Sequence, residues 1–158
     1  MKRNRLVVSL AAGLLGIAGA ARAATTDTIT VTVSLAEVIS VAVAPNSWSL
    51  GAIALGNTVG PTTFTATVGN RVTKLEIVAS DGAGGWAIGP TAGLNQFVVT
   101  VSNPPMALSK AYQVLQASVP AYGNKAFALT YSAPTSDDKG AGVSQGLSVT
   151  VRASAPTP

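Results

Sequence analysis

Residues Thr28–Val43 read TITVTVSLAEVISVAV, and every odd position from Ile29 to Val43 is apolar except Glu37. The even positions begin as a hydroxyl row of Thr28, Thr30, Thr32 and Ser34. A period of two sends alternate side chains to opposite faces of an extended chain, so the run predicts β-structure with one apolar and one wet face. A single strand is usually only about 5–6 residues long, so the run exceeds what one strand of a small domain uses.

Two arrangements follow. In the first, the run forms two successive strands of its own sandwich and breaks near Ala36-Glu37. Glu37 is the one charge on the apolar face, and burying it unpaired is costly. In the second, Ile29, Val31, Val33 and Leu35 form a donor strand that docks on a neighbouring subunit, and Ile39–Val43 begins the home domain. Strand addition supplies main-chain hydrogen bonds while alternate side chains fill pockets. Full burial of each of these side chains contributes roughly 1.5–3 kcal/mol before ordering costs. A head-to-tail contact of this kind generates a filament. The period is the same in both arrangements, because periodicity does not encode the partner.

The N-terminal residues read as a targeting segment. Lys2, Arg3 and Arg5 precede the small and apolar run Leu6–Ala20, and Ala21-Arg22-Ala23 offers a small–x–small cleavage site. This predicts a signal peptide over residues 1–23 and a mature start at Ala24. The apolar core is at most about 16 residues, shorter than the roughly 20 of a spanning helix. The expected location is therefore secreted, extracellular or on the cell surface, with no membrane association after cleavage.

Cleavage changes the charge balance. Of the ten Lys and Arg residues four lie in the leader, leaving six against six Asp and Glu. The pI near 9.8 therefore belongs to the whole chain. No basic patch remains for a phosphate backbone, so no nucleic-acid partner is expected. A neutral, sparsely charged surface also resists self-association poorly. The chain has no cysteine, so packing, sheet hydrogen bonds and assembly must supply its stability without disulfides.

After the first run, short alternating stretches recur between Gly, Pro, Asn and Asp turns. They predict an all-β fold, a single immunoglobulin-like β-sandwich of seven to eight antiparallel strands. The organisation expected is an extended N-terminal segment over 24–36, a sandwich over 37–153 and a frayed tail over 154–158. Trp48–Leu55 reads as a short apolar piece. Thr62–Val68 presents Phe64, Ala66 and Val68 to one face. Val72–Ala79 turns Leu75, Ile77 and Ala79 inward and Lys74 and Glu76 outward. Trp86–Ile88, Phe97–Val101, Ala126–Tyr131 and Gly146–Ala153 supply further strands. Ala111–Ala117 fits a helical turn or an edge strand.

The residues of catalysis are scarce. The chain has no histidine as well as no cysteine, which removes the commonest nucleophile–base pairs and transition-metal ligands. Asp137-Asp138 has oxygen ligands for calcium, but its Ser-Asp-Asp-Lys-Gly setting reads as a turn. Asp81 before Gly82 reads likewise, and Ser109-Lys110 reads as a solvated loop. Trp48 and Trp86 are expected as core plugs and Tyr122 as a corner tyrosine bonding back to backbone. No catalytic residue, metal or cofactor is expected.

Ser47-Trp48-Ser49-Leu50-Gly51, Asn57-Thr58-Val59, Gly85-Trp86, the stretch AFALTYSAPTS from Ala126 to Ser136 and the final strand Leu147–Ala153 resemble secreted prokaryotic surface proteins with immunoglobulin-like sandwiches. These include WxL-like surface domains and extracellular filament subunits. Trp48-Ser49-Leu50 is a single Trp-x-Leu, and the paired motif of wall-binding domains is missing. The resemblance implies a non-enzymatic structural protein, a filament or pilus-like subunit that polymerises with copies of itself by donor-strand complementation. The alternative is a monomeric cell-surface adhesion or carbohydrate-binding module, with surface glycans as partner and a loop such as Asp81–Gly85 as the contact.

Overall fold

A computed structural model describes residues 31–34, 36–139 and 144–156. The expected signal peptide, and Ile29 and Leu35 of the expected donor strand, lie outside the described residues. The chain divides between Leu35 and Ala36, and the strands all belong to the second unit. They are β1 (Val41–Ala44), β2 (Thr58–Val68), β3 (Thr73–Ala79), β4 (Ala87–Ile88), β5 (Gln96–Ser102), β6 (Pro105–Ala107), β7 (Gln113–Val119), β8 (Asn124–Ser132) and β9 (Val149–Ser154). The described residues thus fold as all-β, with no helix.

Two sheets share one core, in a sandwich-like arrangement. The larger runs β1-β2-β8-β5-β4, with β6 also paired to β5, and the smaller runs β7-β3-β9. Alternation explains the core. Phe64, Ala66 and Val68 of β2, Phe127, Leu129 and Tyr131 of β8, and Phe97, Val99 and Val101 of β5 point inward from the larger sheet. Leu75, Ile77 and Ala79 of β3 answer from the smaller one. Phe64 lies directly across the ladder from Phe127, and their rings stack at 5.8 Å. Phe97 and Tyr131 stack at 5.6 Å. Such ring pairs add about 0.5–1.5 kcal/mol each beyond their buried area.

Local chemistry shapes the ladder between β2 and β8. Its register shifts between Val59 and Thr62, where Pro61 has no N–H to give. Gly60 sits there at φ +116°, and a Cβ would come within 2.7 Å of the Leu129 carbonyl oxygen. Only glycine fits that position.

Several expectations need correction. The described residues hold nine strands rather than seven or eight, and they are not all antiparallel. The two-residue β4 runs parallel to β5, held by Ala87 N–H to the Asn95 carbonyl (2.8 Å) and Gly89 N–H to the Phe97 carbonyl (3.0 Å). Of the two readings of Ala111–Ala117 the edge strand holds, shifted to β7 at Gln113–Val119. Trp48–Leu55 joins no ladder, although Trp48, Leu50 and Ile53 pack on the core. The expected tail begins too early, because Ser154 still pairs with Lys74.

Glu76 takes its expected outward place but not an exposed one. Its side chain lies on the outer face of β3 and is almost fully covered there. Lys74 Nζ lies 3.1 Å from one carboxylate oxygen and Arg152 Nε donates to the other at 2.8 Å. The Arg152 guanidinium in turn sits 3.7 Å from the Tyr112 ring centroid, a cation–π contact that roofs the pair. The Arg152 and Lys74 hydrogen bonds, in that order, hold the Glu76 carboxyl below its ordinary value.

Candidate subunit-joining site

The small sheet ends in β9. It pairs with β3 in unbroken register from Lys74–Ser154 to Ala79–Val149. Its other edge has no strand partner among the described residues. Its inward side chains, Val149, Val151 and Ala153, are only half-buried. Their neighbours Leu75, Ile77 and Ala79 on β3 are buried completely or nearly so. The β9 margin is thus less covered than β3 beside it.

The margin holds an apolar cleft of about 250 Å³. Phe64, Phe127 and Leu129 of the larger sheet line it, Val149 and Val151 form one wall, and Val43 with Pro45–Trp48 forms the opposite rim. Trp48 meets Phe64 edge-on at 5.8 Å and 74°. Along the rim, burial alternates from exposed Ser47 to half-buried Trp48, exposed Ser49 and half-buried Leu50. That is the signature of extended chain lying beside a sheet without joining it. No lining residue is charged.

Of the four expected donor residues, the structure describes Val31 and Val33, each 76% exposed. Residues 31–34 carry no strand assignment. Immediately after them, the second unit is fastened to its own β2–β3 turn. The Asn70 side chain acts as a substitute strand, donating from Nδ2 to the Ala36 carbonyl (2.9 Å) and accepting the Val38 N–H at Oδ1 (2.7 Å). Glu37 forms an ion pair with Arg71. The charge that interrupts the apolar run therefore meets a cation at an exposed site. The strand proper starts only at Val41.

The other residues singled out by sequence serve their loops. Asp137 Oδ1 accepts the Trp86 indole N–H (3.1 Å) and the Lys139 N–H (2.8 Å). Asp138 N–H donates to Asn95 Oδ1 (3.0 Å). Asp81 accepts the Ile88 N–H (3.0 Å) and Lys110 Nζ (3.1 Å). These bonds, the Ile88 one first, hold its carboxyl below the ordinary range. Ser109-Lys110 is thus a loop whose lysine pairs with Asp81. Trp86 is half-buried with its N–H engaged. Tyr122 is not a buried corner tyrosine: it is 75% exposed, at φ +57°, and its backbone N–H bonds to the Gly69 carbonyl (2.8 Å). Burial pushes the Tyr131 hydroxyl up to about 12. Among the described residues no three acids gather as a metal site.

Sequence reasoning missed the cleft, the Asn70 clamp and the Glu76 network. The alternation of Leu147, Val149 and Val151 marked the last strand but carried no sign that its outer edge is open. Comparison with protein-family models found no match to this chain, and comparison with curated proteins found none either.

Proposed function

We propose that the protein is a non-enzymatic structural subunit of an extracellular filament, secreted through its N-terminal leader and joined head to tail by the donor strand Ile29–Leu35. In this reading the sandwich is immunoglobulin-like and akin to WxL-like surface domains and filament subunits. It lacks one strand of its own, and a copy of itself supplies it. The partly covered inward face of β9 carries the argument. Val149 and Val151 are core-type residues at core-type positions that line a cleft, on a strand with no ladder on its outer side among the described residues. Bare Val31 and Val33 supply the matching surplus.

Apolar side chains exposed in series are unfavourable for a lone molecule and favour association. The sugar-binding alternative draws less support, since the Trp86 indole N–H is taken by Asp137 and Trp48 packs against Phe64.

The test is assembly. The protein beginning at Ala24 forms polymers whose length grows with concentration, seen by sedimentation and electron microscopy. The protein beginning at Ala36 folds cooperatively and stays monomeric. If both sediment as monomers at every concentration, the filament reading is wrong.

A further inference from the structure

The geometry points to the acceptor site. We propose that residues 29–35 of a second copy of this chain enter the cleft between β9 and the Pro45–Trp48 rim as an added strand on the open edge of β9. This rests on the filament reading and adds to it where the strand goes and what receives it.

Four observations converge on this occupant. The first is backbone: β9 pairs with β3 without a register shift and carries no strand on its outer side among the described residues, the template strand addition requires. The second is length. The six residues of β9 match the seven of 29–35 at about 3.3 Å per residue. The third is side-chain chemistry. Most of the cleft lining is apolar, Phe64, Phe127, Leu129, Val149 and Val151 among it, with Asn46 and Ser47 its polar members, and the incoming strand presents Ile29, Val31, Val33 and Leu35 on one face. Thr30, Thr32 and Ser34 then point to the wet outer face. The fourth is charge: none of residues 28–36 is charged and none of the cleft lining is, so no charge is buried on docking.

Trp48 is the anchor of the site. It lines the cleft together with Val149 and Val151 of β9, and its indole already leans edge-on against Phe64. Large aromatics at the centre of a desolvated pocket carry a disproportionate share of binding.

Because the chain has no native cysteine, engineered disulfides report the docking directly. In the processed protein from Ala24, Val31→Cys or Val33→Cys is combined with Val149→Cys or Val151→Cys. Directly opposed residues of paired strands bring Cβ atoms to about 4.5–5.5 Å, near bonding range for a disulfide. Under mild oxidant, at least one combination is expected to give a ladder of covalent multimers on a denaturing gel without reductant. The same donor cysteines paired with Val114→Cys on β7 give none. Trp48→Ala, checked for cooperative unfolding of the monomer, raises the concentration needed for polymerisation at least tenfold.

A cross-linked monomer from the β9 combinations would show that the segment fills its own cleft and would overturn the proposal. Polymers that form without any β9 cross-link, and tolerate Trp48→Ala, would place the acceptor elsewhere and leave the filament reading standing. Loss of polymers from the unsubstituted protein would remove both.

Discussion

The two edges of the small sheet, β7 and β9, flank the same central strand and meet water in opposite ways. β7 pairs with β3 through two register shifts, at Thr73/Leu75 and Leu75/Glu76. Irregularities of that kind twist an edge and blunt it against further pairing. Its inward residues Leu115 and Val119 are nonetheless buried, so its share of the core is complete. β9 is the reverse, regular in backbone and incomplete in core. An edge that is both regular and under-covered is an aggregation hazard unless a partner covers it. The contrast is that β7 is irregular and well covered, whereas β9 is regular and only partly covered, which is what the proposed joint requires.

The largest effect expected from this contrast is all-or-none. Val151→Asp puts a charge in the cleft, where it cannot be paired, and abolishes polymerisation. Val114→Asp, on the outer side of β7, leaves polymer yield within twofold. Sedimentation of the two variants at equal concentration checks both. Equal loss in both would erase the distinction between the edges.

Next comes stability of the monomer beginning at Ala36. Leu115→Ala on β7 is expected to cost about 2–5 kcal/mol, as for other fully buried leucines. Val151→Ala on β9 is expected to cost less, about 1 kcal/mol, because its side chain is only partly buried. Urea unfolding separates them. Comparable losses would mean that Val151 is as well packed as Leu115.

A pH effect should follow from Glu76, which ties β3 to β9. Its folded carboxyl titrates below the ordinary glutamate value, so its contribution is complete above that ordinary value. The contribution fades as pH falls through the lowered folded value. Thermal melts between pH 7 and pH 3 should show Tm falling towards acid, with a shallower fall in Glu76→Gln. An unchanged slope in that variant would remove Glu76 from the account. The smallest effect belongs to the exposed Glu37–Arg71 pair: Arg71→Ala should cost less than about 1 kcal/mol and less still in high salt.

Much of the fold was legible because it rests on period two. Phe64 with Ala66, Leu75 with Ile77, and Phe127 with Leu129 and Tyr131 all point where alternation puts them. What stayed hidden is non-local. Glu76 reads as a solvent charge until Arg152, 76 residues later, is laid beside it. Asn70 reads as a turn residue until its amide is found between Ala36 and Val38. β4 is too short for any period to register. The candidate site was half legible. Ile29, Val31, Val33 and Leu35 stand out in the chain, whereas the cleft draws its lining from β1, β2, β8, β9 and the Trp48 rim. An empty margin also has no residue of its own to signal it.

Amide hydrogen exchange at β9 tests the central claim most directly, because an added strand must take up the backbone groups of that edge. In the protein beginning at Ala36, the β9 amides not bonded to β3 should exchange on the timescale of open chain. In polymers of the protein beginning at Ala24 they should be protected at least a hundredfold, while the outer amides of β7 stay unchanged. Equal exchange at β9 in the two samples, or protection appearing at β7 instead, would contradict the account.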